Sequence, residues 1–170
     1  YYHDDAELYG PAPIGHQAGL ETIAGGYWAP LLEAFPDLQK NDYILFGGES
    51  EGAEWVCASG NLVGTFEADW LDIPATGDAT WLRYGEFHRL EDGKIAETRL
   101  LLDVLDVLRQ AGYRFFPALA PEVVIPGPST QDGVLLDEQD DAESERTLQL
   151  VDDMIEGLHE YEEKGLDGMG

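Results

Sequence analysis

One dipeptide constrains the fold of this chain more than any other feature. Asp92-Gly93 stands between two stretches with strand-like patterns, residues 80–90 and 94–103. An Asp-Gly pair in this setting favours the type I′ turn of a two-residue hairpin. The sequence therefore predicts a tight antiparallel hairpin over residues 80–103.

Counting outward from the turn gives a predicted register for the hairpin. If Glu91 faces Lys94, His88 faces Glu97 and Glu86 faces Arg99. Side chains alternate between the two faces of a strand. One face is then predicted to carry Leu82, Tyr84, Glu86, His88, Glu97, Arg99, Leu101 and Asp103. The opposite face is predicted to carry Trp81, Phe87, Leu100 and Leu102.

Two interpretations of the charged face remain open. It is either the solvated side of a half-buried sheet, with cross-strand ion pairs of about 0.2–1 kcal/mol each, or the polar floor of a cavity. In a cavity, a carboxylate beside histidine and arginine has a shifted pKa and can act as a general acid or base. The large apolar residues on the same face, Leu82, Tyr84 and Leu101, favour the cavity.

The other segments indicate an α+β domain followed by an extension. Apolar residues recur at helical spacing over residues 19–35, with Pro30 expected to interrupt the helix. Strand patterns cover residues 43–46 and 54–66, and a short helix is predicted over 104–111. Beyond Gly112 we predict a Pro-rich and then acidic linker, residues 113–145, and an amphipathic helix over 146–170.

Composition narrows the classes of partner. The formal net charge is −26, from 35 acidic and 9 basic residues, so phosphate backbones and anionic membrane surfaces are repelled. The chain lacks a run of 18 apolar residues, and we expect a cytoplasmic protein that binds neither nucleic acid nor membrane. The acidity fits either a high-salt habitat or an ordinary acidic protein.

The residues that commonly bind metals are few and scattered. Cys57 is the only cysteine, which excludes an intrachain disulfide and a cysteine-based zinc site. The four histidines show no HxxxH or HxH spacing. We therefore expect no metal site.

Six short segments, in order, resemble the SnoaL-like polyketide cyclase and ester cyclase family of the nuclear-transport-factor-like superfamily. They are residues 2–11, Gly19-Leu20-Glu21, Ala34-Phe35-Pro36-Asp37, Ile73-Pro74-Ala75-Thr76-Gly77, the hairpin segment 89–97, and Asp103 with Gln110-Ala111-Gly112. Together they span residues 1–112, which we take as the cone domain.

This resemblance implies a cone-shaped, curved mixed sheet that is wrapped by helices and encloses one pocket. It also implies ring closure by aldol chemistry without a metal or cofactor, and a homodimer that pairs through the outer face of the sheet. Asp103 matches the family's pocket carboxylate, and His88 lies on the strand that carries a pocket histidine in some members.

Two functions follow as alternatives. The first is proton transfer on a small apolar carbonyl compound, with Asp103 as base and His88, Arg99 or Glu86 assisting. Trp55, Tyr84, Trp28 and Leu101 would then line the substrate site. The second is a non-catalytic module of the same fold that binds a small ligand or a partner. They differ at Asp103, where an enzyme needs a buried, unpaired carboxylate.

The segment 146–170 is either a frayed acidic tail or a helix that belongs to a fold, and the regular apolar spacing favours the helix. As a helix it is either the first element of a second similar domain, or it docks back in place of the opening helix that residues 1–112 lack. In both cases its apolar face, Leu148, Val151, Ile155 and Leu158, is expected to be buried, because an isolated helix of this length is marginal in water.

Overall fold

The computed structural model describes residues 1–114 and 130–165, with side chains as far as Leu158. Residues 115–129 of the predicted linker and the last five residues of the predicted C-terminal helix lie outside the described part. The chain forms two compact units, Tyr1–Leu136 and Asp137–Gly170. The first unit therefore extends beyond the predicted boundary at residue 112.

A mixed six-stranded sheet is the frame of the first unit. Its spatial order is β2-β1-β6-β5-β4-β3, with β1 parallel to β6 and the other neighbours antiparallel. The strands are β1 (Tyr2–Tyr9), β2 (His16–Ala18), β3 (Gln39–Ser50), β4 (Ala53–Thr65), β5 (Ala79–Glu91) and β6 (Lys94–Leu102).

Helices cover one face of this sheet, which we call the inner face. They are α1 (Leu20–Ile23), a π-helical turn (Ala24–Trp28), α2 (Ala29–Ala34) and α3 (Val104–Gln110). Pro30 lies in the first turn of α2, directly after the π turn, where its missing N–H is tolerated. Alternating strand residues and the apolar helix faces meet in one core, whose most buried side chains are Leu8, Ile23, Leu31, Phe35, Phe66 and Val107. This is the predicted α+β cone fold.

The predicted hairpin turn is confirmed, but the predicted register is wrong. Asp92 and Gly93 both have positive φ, as a type I′ turn requires, and Glu91 pairs with Lys94. Leu90 then pairs with Ile95 and Arg89 with Glu97, so Ala96 is an extra residue in β6. This β-bulge shifts every later pair by one residue, and such a shift exchanges the two faces of a strand.

The bulge brings Leu100 to the inner face and removes Arg99 from it. Glu86 pairs with Leu100 and His88 with Thr98, so neither expected charge pair across the hairpin exists. Leu100 and Thr98 are buried, whereas Arg99 and Leu101 are exposed. Without the bulge, β6 would bury charged side chains and expose leucines, which explains why the shifted register is stable.

Part of the predicted linker belongs to the first unit. The backbone N–H of Leu45 donates to Gly133, and the N–H of Leu135 donates to Leu45, at 2.9 and 2.7 Å. Residues 133–135 therefore pair with the free edge of β3, and Val134 forms a parallel bridge with Leu45.

The second unit contains helix α4 (Asp141–Gly165), which begins five residues before the predicted start. The Asp140 carboxylate accepts from the N–H of Glu143 at its N-terminus. The expected burial of its apolar face is not seen, because Leu148, Val151, Ile155 and Leu158 are exposed in the single chain. No helix in the described residues is long and apolar enough to span a membrane.

Candidate active site

A buried carboxylate on β5 is the centre of the candidate site. Glu86 faces the helix-covered side of the sheet and is 3% exposed. Its Oε2 accepts from the ammonium of Lys40 on β3 at 2.5 Å and lies 3.3 Å from Nε2 of His88. Both contacts seen for Glu86 within the described residues use Oε2, so Oε1 is left for another group.

His88 is oriented by a second contact. Its Nδ1 lies 2.9 Å from the hydroxyl of Thr98, the buried residue opposite it on β6. Because an ionised carboxylate only accepts hydrogen bonds, Nε2 donates to Glu86, and Nδ1 of a neutral His88 accepts from Thr98. The bulge of β6 is therefore what supplies the group that fixes the ring.

Opposing effects determine the charge of Glu86. Burial alone would raise the pKa of its carboxyl group, because an apolar environment disfavours the anion. Hydrogen bonds from His88 and Lys40, together with their charges, outweigh burial and hold the pKa below its ordinary value. The resting site thus contains an ionised, desolvated carboxylate.

A second polar pair lies beside this cluster. The hydroxyl of Tyr84, two residues before Glu86 on β5, donates to Asp42 on β3. Burial, followed by the hydrogen bond to Asp42, raises the pKa of Tyr84 well above its ordinary value. The ammonium of Lys40 lies 4.9 Å from the centre of the Tyr84 ring, so one lysine contacts both polar pairs.

Asp103 does not have the environment expected of a catalytic carboxylate. It is the N-cap of α3, where it accepts from the N–H of Asp106 at 3.1 Å. Its other oxygen binds Arg83 at 2.6 Å, and its side chain is 33% exposed. The buried, unpaired carboxylate that an enzyme was expected to have here is therefore absent from this position.

The remaining predicted site residues are divided between the two faces. Arg99 lies on the outer face, paired with Glu97 at 2.7 Å, and Leu101 is 63% exposed. Trp55 pairs with Arg89 and alternates with inward-facing residues of β4, which places it on the outer face too. Trp28 packs against the core, with its ring 4.7 Å from that of Tyr27.

Sequence reasoning missed Lys40, Asp42 and Thr98. The strand pattern in the sequence begins at Tyr43, whereas β3 begins at Gln39, so Lys40 and Asp42 lie outside the predicted strand. A lysine in a chain with only 9 basic residues was the available signal. Thr98 could be found only by recognising the bulge.

Other places in the described residues offer less chemistry. A surface groove lined by Pro74–Thr76 and Ala111–Tyr113 contains neither a carboxylate nor a histidine. Within residues 1–114 and 130–158, no group of three or more His, Cys, Asp or Glu side chains could hold a metal ion.

The fold and a match to a family model define the class of protein. The SnoaL-like polyketide cyclase family model matches residues 1–111. The chain belongs to this family, as the sequence resemblance predicted, and the family name indicates an enzyme.

Solved structures agree on the fold. AclR from Streptomyces galilaeus, described as a candidate hydroxylase, is 20% identical with a TM-score of 0.54 over 65% of this chain and 77% of its own. A candidate polyketide cyclase from Acidithiobacillus ferrooxidans is 19% identical, with a TM-score of 0.53 over 66% and 80%. TsrD from Streptomyces laurentii is 24% identical, with a TM-score of 0.52 over 65% and 77%. Identities this low show the fold alone, and no curated protein matches the chain.

Proposed function

We propose that this chain is a cofactor-independent acid/base enzyme acting on a small, largely apolar carbonyl compound, with Glu86 as the base. One observation carries the proposal. Glu86 is buried and ionised, and Lys40 and His88 both bind the same oxygen, Oε2. A carboxylate fixed through one oxygen presents the other to a substrate.

The step that this arrangement supports is proton removal next to a carbonyl group. Oε1 of Glu86 takes the proton, and the electron pair of the C–H bond moves into an enolate, whose oxygen carries the charge. Glu86 becomes neutral, so the negative charge moves to the substrate while Lys40 stays beside it. The enolate can then attack a second carbonyl in the same molecule, as aldol ring closure requires, or take the proton back at another carbon.

Comparison of the carboxylates favours Glu86 over Asp103 as the base. Asp103 caps a helix and binds Arg83, whereas Glu86 lies inside the core beside a histidine. The name of the family and that of the Acidithiobacillus relative, polyketide cyclase, describe chemistry that begins with such a base. Positioned bases of this kind typically contribute about 10²–10⁴-fold to the rate.

Proton exchange in D₂O tests the proposal without knowledge of the natural substrate. The probe is 2-tetralone, an apolar ketone, and NMR follows the loss of its α-proton signals. We expect exchange above the buffer rate with the unmodified chain, and a fall of at least about a hundredfold in Glu86→Gln. Glu97→Gln is the matched control, because Glu97 is a glutamate of the same hairpin on the outer face.

The alternative is a module that binds a carbonyl ligand without reacting with it. The ion pair between Lys40 and Glu86 favours this alternative, because a carboxylate held by an ammonium can have a purely structural role and need not accept a proton from a ligand. Saturable binding of 2-tetralone with exchange at the buffer rate would support binding alone. Equal exchange in Glu86→Gln and the unmodified chain would remove Glu86 from the mechanism.

A further inference from the structure

Tyr27 has a buried hydroxyl group that the acid/base cluster does not use. The residue is 2% exposed, and its hydroxyl is a buried polar atom with no hydrogen-bond partner among the described residues. Burying a hydroxyl without a partner is unfavourable, and phenylalanine would fill the same space without that penalty. A tyrosine here therefore indicates a partner beyond the residues that the structure describes, and a bound ligand would supply one.

The backbone around Tyr27 is also unusual. The residue belongs to the π-helical turn Ala24–Trp28, in the layer that covers the inner face of the sheet. Single π turns are rare in proteins, and those that occur are frequently found at functional sites. Gln17 of β2 lies against the same turn, because a Cβ on Gly26 would stand 2.8 Å from its side-chain amide. Its Oε1 is likewise buried and has no hydrogen-bond partner in the part of the chain that the structure describes.

The electrostatic environment keeps the Tyr27 hydroxyl protonated, so that it can donate a hydrogen bond. Burial, and then the negative charge of Glu86, raise the pKa of its phenol far above the ordinary value. The hydroxyl therefore retains its proton near neutral pH. Tyr27 belongs to the same buried core as Ala58 and Leu100, the residues that pair with Glu86 on the neighbouring strands. Tyr27 therefore lies on the helix layer over the part of the sheet that carries Glu86.

We propose that the Tyr27 hydroxyl donates a hydrogen bond to the carbonyl oxygen of the substrate and stabilises the enolate that forms when Glu86 removes the neighbouring proton. This inference rests on the proposed function and adds the orientation of the substrate. The carbonyl oxygen points to the helix layer and the acidic carbon to the sheet. A donor placed where charge develops acts mainly on the transition state.

The same arrangement limits the substrate class. The ligand is a neutral ketone, or a compound with a comparable carbonyl group, bearing a proton on the adjacent carbon. A carboxylate next to that carbonyl would meet the negative charges of Glu86 and Asp42, which disfavour a second anion. Aromatic and apolar carbonyl compounds therefore fit better than keto acids.

Binding of 4-nitrophenolate, a coloured analogue of an enolate, tests Tyr27 directly. Glu86→Gln imitates the site after the base has taken its proton. We expect this variant to bind 4-nitrophenolate roughly ten- to a hundredfold more tightly than Glu86→Gln/Tyr27→Phe in absorbance titrations, as a hydrogen bond to a charged group implies. Equal affinity in the two variants would overturn the proposal. The proposal would also be overturned if 4-nitrophenolate binding disappears in Glu86→Gln/Lys40→Met but persists in Glu86→Gln/Tyr27→Phe.

Thermal unfolding of Tyr27→Phe separates a role in the reaction from a role in structure. Loss of an unpartnered hydroxyl should leave Tm unchanged or raise it, while exchange of 2-tetralone falls at least about tenfold. A lower Tm with unchanged exchange would show that an ordered water satisfies the hydroxyl, and would overturn the inference.

The two proposals can fail independently. Tight 4-nitrophenolate binding that depends on Tyr27, with no exchange by the unmodified chain, supports the oxygen site and rejects proton transfer by Glu86. If exchange is lost in Glu86→Gln but unchanged in Tyr27→Phe, Glu86 remains the proposed base and the role of Tyr27 as a hydrogen-bond donor is rejected.

Discussion

At the scale of single residues, Lys40 controls the charge of the proposed base. Its ammonium binds Glu86 at 2.5 Å and favours the ionised carboxylate. A carboxyl group with a lowered folded-state pKa contributes stability above its unfolded pKa, about 4.3. That contribution is lost as pH falls through the folded value. Acidification should therefore weaken the fold and inactivate the base over the same low-pH range.

Lys40→Met should move the acidic limb of the pH–rate profile to higher pH. Without the ammonium, burial is opposed only by His88, so the pKa of Glu86 rises and more alkaline buffer is needed to ionise it. The measurement is 2-tetralone exchange as a function of pH. Lys94→Met, which removes an exposed lysine of the hairpin turn, should leave the limb in place. An unshifted limb in Lys40→Met would show that Lys40 does not control the titration.

The pair Glu86 and His88 could be predicted from the sequence because it needs only alternation along one strand. Both residues lie on β5, and no partner strand has to be placed to put them on one face. The predicted positions of Arg99 and Asp103 depend on the pairing register across the hairpin. A single extra residue in β6 moves each later side chain to the opposite face. Tyr27 lies within residues 19–35, where apolar residues recur at helical spacing, but its unpartnered hydroxyl is visible only in the packing of the described residues.

At the scale of elements, the sequence predicts the hairpin turn but not the β-bulge that follows it. Asp92-Gly93 specifies its own backbone geometry, whereas Ala96 has no local signal of that kind. The signal for the bulge is non-local. Thr98, Leu100 and Leu102 form the apolar alternation of β6, and only a shifted register directs them to the core that Leu82 and Tyr84 define. The apolar faces of β5 and β6 match only when β6 carries one extra residue.

A second bulge positions Lys40 and Asp42, and Gly60 makes it possible. Asp42 pairs with Gly60 and Ile44 with Ser59, so Tyr43 is the extra residue. A Cβ on Gly60 would stand 2.0 Å from the backbone oxygen of Asn41. That contact is with backbone, so no side-chain rotation can relieve it.

Gly60→Ala should destabilise the protein by about 1–3 kcal/mol or more, as overpacking does, and should reduce exchange by displacing Lys40. Denaturant unfolding gives the free energy. Gly48→Ala is the matched control on the facing strand β3, since a Cβ there meets nothing within 4 Å. If both variants unfold at the same denaturant concentration, the close approach is not a constraint in solution.

At the scale of the whole molecule, the sequence correctly predicts the cone fold but not the residue at which the first unit ends. The six family-like segments stop at residue 112, yet the first unit continues to Leu136, because residues 133–135 add to the edge of β3. Backbone pairing of this kind leaves little trace in composition, so the acidic, Pro-containing stretch 113–145 has the composition of a linker although residues 133–135 pair with β3. The amphipathic pattern of α4 predicted a helix but could not specify what covers its apolar face.

The bulge also changes which residues form the outer face of the sheet. Phe87 was expected there and is there, but Leu100 and Leu102 point inward and Leu101 points outward. Cross-strand pairing aligns Ile44 with Leu101 through Ser59 and Gly85, and Phe46 with Phe87 through Cys57. All four large side chains are exposed. They form one apolar patch on a protein whose surface is otherwise strongly acidic.

We expect this patch to pair two copies of the chain through a symmetric contact, since contiguous exposed apolar surface commonly marks an interface. Light scattering after gel filtration should show a homodimer, and Phe87→Asp should give a monomer with an intact fold, because it places a charge in the centre of the contact. Leu148→Asp, a matched change on α4, should remain dimeric. Each chain carries a formal charge of −26, so salt should raise the dimer fraction by screening repulsion between the two copies. A monomer at every salt concentration, or a dimer that survives Phe87→Asp, would exclude the outer face as the interface.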